Sequence, residues 1–355
     1  MSKHAASRSR APRLRVLGSL AVVLVFVGLL VGNALGLTGE PPENAVGDGA
    51  RAVDPDAATP SAPASSTPDE QPVQPAGQAP PVVAGETLER VQRVLRSGRQ
   101  LQKLAPRVFD MRIGTLNILG SQHTAGPGGY GPGPARAATS AGLVVDRGID
   151  VMGMQEVQRD QQPVLDARLG GYTIWPRSDG LGRQGYRLQI AWRTERFDLL
   201  DTGYRNYPFD RQTIPMPYVL LKERTSGAEF FVINTHNSAR GLEGERDAAT
   251  GIQVELIREM RATGRPVFIV GDVNEHTEFF CSVATSTGLV GANGGSGSGG
   301  CSLPPGPLRV DWIMGGGEVD FSGYVQDGAS RSTGASDHYF IHASARVTDT
   351  SHMPD

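Results

Sequence analysis

The chain has 355 residues, with 34 Lys and Arg against 37 Asp and Glu, a formal net charge of −3, and 46 Gly and 25 Pro. That length allows one large domain or two ordinary ones. The charge balance excludes a strongly basic nucleic-acid binder as the default, and the Gly and Pro content excludes a coiled coil. Cys281 and Cys301 are the only cysteines, too few for a four-thiolate zinc site or a disulfide-dense scaffold.

Residues 1–15 form a basic arm, with Lys3, Arg8, Arg10, Arg13 and Arg15 and no acid. An uncharged run over 16–37 follows, in which Ser19 and Asn33 are the polar interruptions. As a helix it would span about 33 Å, enough for the hydrocarbon core of a bilayer. The basic flank stays cytoplasmic, so the expectation is a single-pass cell-membrane protein whose remaining chain lies outside the cytoplasm. Small residues near Ala34 and Gly36 give the alternative, a cleaved signal peptide and a secreted protein. Residues 38–85 are rich in Pro, Ala, Ser and acids and poor in large apolar side chains, so nothing there offsets the entropy of ordering; they are read as a disordered linker. Over 86–105, Leu88, Val91, Leu95 and Leu101 predict an amphipathic helix that Pro106 ends.

From 106 to 347 short apolar runs alternate with turns. Strands are predicted over 112–118, 151–155, 188–192, 219–222, 230–234, 267–271, 310–314 and 339–343, and helices over 136–147 and 244–263. Helices separate some strands and hairpin-length loops separate others, which points to a mixed α/β domain. Residues 348–355 are read as a flexible tail. Cys281 and Cys301 flank a Gly-rich stretch, 291–300, and in an oxidising compartment they are expected to form a disulfide.

The polar groups gather at the ends of these strands. Asn117 ends the first and Glu156 the second, in Met-Gln-Glu-Val. Asn234 and His236 lie in Asn-Thr-His-Asn, Asp272 and Asn274 in Gly-Asp-Val-Asn, Asp311 in Arg-Val-Asp-Trp-Ile, and Asp337 with His338 in Ser-Asp-His. Strand ends are where α/β sheets place ligands. Each piece alone is common; six in one order are not.

In that order the chain resembles the endonuclease/exonuclease/phosphatase superfamily over about 110–345. The resemblance implies a four-layer α/β sandwich of two packed, mostly antiparallel sheets with helices outside, and Mg²⁺-dependent cleavage of a phosphoester, with Mn²⁺ as the alternative ion. It implies Glu156 and Asp337 as carboxylate metal ligands with Asn117 as an amide-oxygen partner. Asp272 would orient or deprotonate the attacking water, and Asn274 would hold that water or the phosphate. His236 and His338 would donate to the phosphoryl oxygens, with Asp311 paired to His236. Arg211 is the phosphate-contact candidate.

Departures bear on the substrate. Gln158 stands where deoxyribonuclease-like members carry an arginine two residues after the glutamate, and 185–190 offers no acid as a histidine partner. Residues 107–346 carry 23 basic and 26 acidic residues, so the domain lacks the overall basic balance on which nucleic-acid affinity normally rests. The expected function is an extracytoplasmic phosphodiesterase of the nuclease kind, with DNA or RNA as candidate substrates. The alternatives are a phosphatase or phospholipase of the same superfamily, and a non-catalytic surface module that kept the fold. The sequence implies no protein partner.

Overall fold

The computed structural model describes residues 89–90, 92–97, 105–124, 129–177, 180–182 and 184–354. The expected basic arm, membrane segment and linker lie outside the described residues, as do residues 125–128. Residues 89–90 and 92–97 are helical and exposed.

Two six-stranded sheets make the domain. The first has β1 (Arg107–Asn117), β2 (Val151–Gln155), β3 (Tyr172–Trp175), β4 (Gln189–Arg193), β11 (Val319–Asp327) and β12 (Phe340–Asp349), in the order β11-β12-β1-β2-β4-β3. The second has β5 (Phe197–Phe209), β6 (Gln212–Glu223), β7 (Glu229–His236), β8 (Val267–Asp272), β9 (Val290–Gly291) and β10 (Asp311–Gly316), in the order β5-β6-β7-β8-β10-β9. The β1–β2 and β7–β8 pairs are parallel and the other pairs antiparallel.

Each parallel pair needs a crossover helix. Helix α1 (Gly133–Asp146) joins β1 to β2, and α3 (Glu243–Arg261) joins β7 to β8. Shorter helices are α2 (Gln162–Arg168), α4 (Thr277–Thr287) and α5 (Ala329–Ser332). Pro132 is the N-cap of α1 and Pro134 lies in its first turn, where a missing N–H costs nothing. In α3, Glu243 and Glu245 in the first turn and Arg258 and Arg261 in the last complement the helix dipole.

Three apolar clusters fix the layers. Ile113, Val151, Val232, Phe268 and Ile341 meet between the sheets. Leu116, Ala141, Val144 and Met152 join the first sheet to α1. Ile233, Leu256, Ile257 and Ile269 join the second sheet to α3. The order is therefore helix, sheet, sheet, helix. Gly153 lets the two sheets approach closely, since a Cβ there would run into Val270 and Asn234.

Strands β3, β5, β9 and β11 and helices α2, α4 and α5 are additions to the predicted elements. Cys281 on α4 is bonded to Cys301, with Cα atoms 5.3 Å apart. The last strand reaches Asp349, whose buried carboxylate accepts from the Glu229 and Ser351 amides, so regular structure runs past 347.

Candidate active site

Topology brings the site together. The C-terminal ends of β1, β2, β7 and β8 open on one edge of the sandwich, where parallel strands leave a crevice. Asn117 ends β1, and Glu156 follows β2 with its backbone in the left-handed region, φ +60°. His236 and Asp272 end β7 and β8 in register with each other, and Asp311 opens β10 in register with Asp272. His338 lies just before β12, which runs antiparallel beside β1. Asn274 and Leu119 also sit at positive φ, +53° and +58°. Left-handed non-glycine residues are uncommon and cluster where function fixes the backbone. Gly271, at φ +150°, lets β8 approach β7 so closely that a Cβ would strike the Thr235 carbonyl.

Asp272 is the hub. Its Oδ2 lies 3.2 Å from His236 Nε2 and 3.5 Å from His338 Nε2, and it accepts from Asn117 Nδ2 at 3.1 Å. Its Oδ1 accepts from the Asn274 amide at 3.0 Å. Burial raises this carboxyl, but the two imidazoles and the Asn117 amide outweigh burial and hold it down at about 2. Such a carboxylate is a weak base and a strong orienting acceptor.

Asp311 does not meet His236 as expected; it meets His338. The His338 Nδ1 lies 3.0 Å from both Asp311 oxygens. The reason is register: Asp311 and His236 flank Asp272 on opposite sides, so each reaches across a different neighbour. Burial pushes the Asp311 carboxyl up while His338 pulls it down, and the proton of the pair resides on the imidazole. Burial lowers His338, yet Asp311 foremost, with Asp272 and Asp337, carries it up to about 10. His338 is therefore an imidazolium at neutral pH.

His236 is held differently. The buried Tyr207 hydroxyl donates to its carbonyl at 2.6 Å and accepts from its amide at 3.2 Å, and the Phe209 ring lies 4.8 Å from the imidazole. Asn274 donates through Nδ2 to the Asn237 carbonyl at 2.9 Å, which fixes it beside the hub.

Glu156 sits in a second set of donors. Its Oε1 accepts from Asn117 Nδ2 at 3.0 Å, and its Oε2 accepts from the Gly120 amide at 3.0 Å and Gln122 Nε2 at 3.2 Å, with His123 Nε2 at 3.2 Å. Burial raises its carboxyl; His236, Asn117 and Gly120 together leave it below the ordinary range. Asn117 thus presents its N–H groups to two carboxylates. Its amide oxygen, expected on the metal, accepts from the Leu119 amide at 3.0 Å.

Asp337 is exposed, and among the described residues no hydrogen bond or ion pair holds its carboxylate. One carboxylate kept ionised and oriented, together with a second left free, suits a hard cation that fills its remaining positions with water and phosphate oxygen. Glu156 and Asp337 are thus carboxylates of the kind that could hold a divalent cation. Two further clusters are accounted for without an ion. Asp272, Asp311 and His338 place ligand atoms within 4.8 Å of one another, but His338 already lies against both carboxylates. Glu243, Asp247 and Glu275 gather around buried Arg246, which bonds Glu243 and Glu275.

Sequence reasoning missed several residues of the site. Arg136, buried in α1, donates to the carbonyls of Leu119 and Gly120 at 2.7 and 2.8 Å and so fixes the loop that carries Gly120, Gln122 and His123. Ser336 donates to the Asn117 carbonyl at 2.5 Å and accepts from the His338 amide at 3.0 Å, tying the two strand ends together. An arginine inside a predicted helix and a serine beside Asp-His carry no spacing signal. Arg211 stands at the tip of the two-residue β5–β6 turn. Asn234 does not face the cleft; it is buried between the sheets.

The model of the endonuclease/exonuclease/phosphatase family matches residues 114–338. The chain belongs to that family. An endonuclease/exonuclease/phosphatase family protein from Bacteroides thetaiotaomicron superposes with a TM-score of 0.54 at 18% identity, covering 68% of this chain and 99% of that one. A mannosyl-6-phosphatase from the same organism gives 0.51 at 18% identity, covering 66% and 99%. Truncated Caenorhabditis elegans TDP2 gives 0.50 at 23% identity, covering 67% and 98%. These likenesses carry the fold. The chain matches none of the curated proteins.

Proposed function

We propose that the domain is an Mg²⁺-dependent phosphoesterase that hydrolyses a phosphodiester by in-line attack of water, working outside the cytoplasm on its N-terminal anchor. The observation that carries this reading is the convergence of two imidazoles and an amide on one buried carboxylate oxygen of Asp272. A carboxylate held that low orients a water through its remaining lone pairs more effectively than it deprotonates one. His338, kept protonated by Asp311, donates to a phosphoryl oxygen and gains strength as negative charge builds there. His236, fixed by Tyr207, serves the phosphate from the other side, and Asn274 helps to seat it. Glu156 and Asp337 would hold Mg²⁺, which when bound neutralises phosphate charge and polarises the scissile bond.

A phosphatase of the same family is the second reading, favoured by the compact cleft of about 510 Å³ beside His236, a size suited to a small ligand. One experiment covers both chemistry and place. The full-length chain is expressed in cells, and bis-(p-nitrophenyl) phosphate and p-nitrophenyl phosphate are supplied to intact cells and to purified protein, with Mg²⁺ or with chelator. The expected result is Mg²⁺-dependent hydrolysis, faster on the diester, by intact cells or their medium. Activity that survives exhaustive chelation, or that appears only after lysis, overturns the corresponding half of the proposal.

A further inference from the structure

The cleft beside His236 has one wall that the hydrolytic reading leaves without a task. Arg187, Arg211 and Arg240 all line it. Several arginines elsewhere on the domain lie against carboxylates: Arg147 on Asp327 at 2.7 Å, Arg196 on Asp150 at 2.7 Å, Arg205 on Glu259 at 2.6 Å. Among the described residues no carboxylate lies in ion-pair range of the three cleft arginines. Arg187 bonds a neutral partner, Gln184 Oε1, at 2.8 Å.

The fold pins all three. Asp210 and Arg211 form a two-residue hairpin turn with both residues at positive φ, +47° and +60°. The Asp210 amide donates to Ser238 Oγ at 2.8 Å, Ser238 Oγ donates to Glu245 at 2.6 Å, and Glu245 accepts from the Arg211 amide at 3.0 Å. Arg240 rides on the loop after β7, whose Ser238 and Arg240 carbonyls accept from buried Arg246 at 3.1 and 2.7 Å. Arg187 lies over the Phe209 ring at 5.6 Å, and that ring lies 4.8 Å from the His236 ring. The arginine is thus one aromatic ring removed from the imidazole that serves the scissile phosphate. The cleft's carboxylates are Glu156, already held by four donors and read as a metal ligand, and exposed Asp210. The wall therefore keeps surplus positive charge on an anchored backbone, with planar forks that match phosphate.

We infer that this wall is a second-phosphate subsite: the substrate carries another phosphate group near the scissile one, and Arg187, Arg211 and Arg240 bind it. The inference rests on the phosphoesterase reading above and narrows it to phosphoesters with two neighbouring phosphates. A small bisphosphate and a nucleic-acid strand both present that chemistry.

Three chromogenic substrates separate the cases: thymidine 5′-(p-nitrophenyl phosphate), the same compound with a 3′-phosphate, and the same compound extended through that phosphate to a second thymidine. The expected result is a kcat/KM roughly 10- to 100-fold higher when the second phosphate is present, the range of a hydrogen bond to a charged group. A gain only with the terminal 3′-phosphate marks a small bisphosphate; an equal gain with the extended compound marks a strand. Arg240→Gln and Arg187→Gln should each bring the ratio toward one, and Arg240→Lys should keep part of it. Arg240 is exposed on a loop held through its backbone, so its replacement leaves the core intact even where Arg187→Gln, which packs on Phe209, fails to fold. Hydrolysis of all three substrates with equal efficiency overturns the subsite and leaves the phosphoesterase reading standing. Hydrolysis of none, with no Mg²⁺-dependent turnover of bis-(p-nitrophenyl) phosphate either, overturns that reading. Calorimetry with thymidine 3′,5′-bisphosphate against thymidine 5′-monophosphate then decides the subsite: an Arg240-dependent preference supports it and equal affinity overturns it.

Discussion

His338 and Asp311 form one hydrogen-bonded unit. An imidazole that donates to a phosphoryl oxygen works best when a carboxylate fixes its other nitrogen and stabilises the cation. Asp311, 5% exposed at the head of an apolar strand, has His338 as its hydrogen-bond partner, at 3.0 Å from both oxygens. His338→Ala and Asp311→Asn should each lower turnover of bis-(p-nitrophenyl) phosphate by about 10²–10⁴-fold, the usual contribution of a positioned acid or base. The double variant should be little worse than the more damaging single one, because groups that act as a unit are non-additive. Four turnover numbers at saturating Mg²⁺ test this, and fully multiplicative losses would show that the two act independently. The residues themselves were legible because each sits at the end or start of an apolar run. Their pairing was not, because linear order does not say that Asp272 stands between Asp311 and His236 in the sheet.

Among the strands and helices, the fully buried ones carry the clearest sequence pattern. Strand β8 is buried at every position and reads as a continuous apolar run; its predicted and observed bounds differ by one residue. Strand β5 is thirteen residues long, yet Leu199, Leu200 and Tyr204 are exposed on it and its burial follows no period of two, because it is an edge strand with a bulge between Leu199 and Asp201. Helix α4 was hidden by its shortness and by β-formers such as Phe279, Phe280 and Val283, which face the core. The disulfide joins this helix to the long loop that delivers the chain to Asp311. The cross-link closes a loop with a sequence separation of 20, so replacing both cysteines by serine should lower the unfolding free energy by about 3 kcal/mol. Urea titration of the two proteins measures the loss. Two reactive thiols in denatured, unreduced protein would show that the bond is absent.

For the molecule as a whole, the site works only if two separate sheets keep their relative position, since Asn117 and Glu156 come from one and His236 and Asp272 from the other. Apolar packing between the sheets is strong but permits sliding, whereas a hydrogen-bonded polar group fixes registry. Asn234 supplies it directly beneath the cleft. From β7 it donates to the carbonyls of Met154 and Gln189 at 2.9 and 2.8 Å, and it accepts from Gln155 Nε2 at 2.6 Å. Gln155 precedes Glu156 and Asn234 lies two residues before His236, so the fastener is one short step from both halves of the site. The sequence placed Asn234 among the chemical groups because a strand-end asparagine looks alike whether it faces a cleft or a neighbouring sheet; the alternation along β7 turns it inward. Asn234→Ala strands several buried polar groups at once and should cost about 2–4 kcal/mol in urea unfolding. It should also lower turnover under conditions where the protein stays fully folded, because the two halves lose their registry. Ile113→Val, in the apolar layer between the same sheets, should cost about 1 kcal/mol and leave turnover unchanged. If Asn234→Ala loses stability but keeps wild-type turnover, apolar packing alone holds the halves in place and the fastening role is wrong.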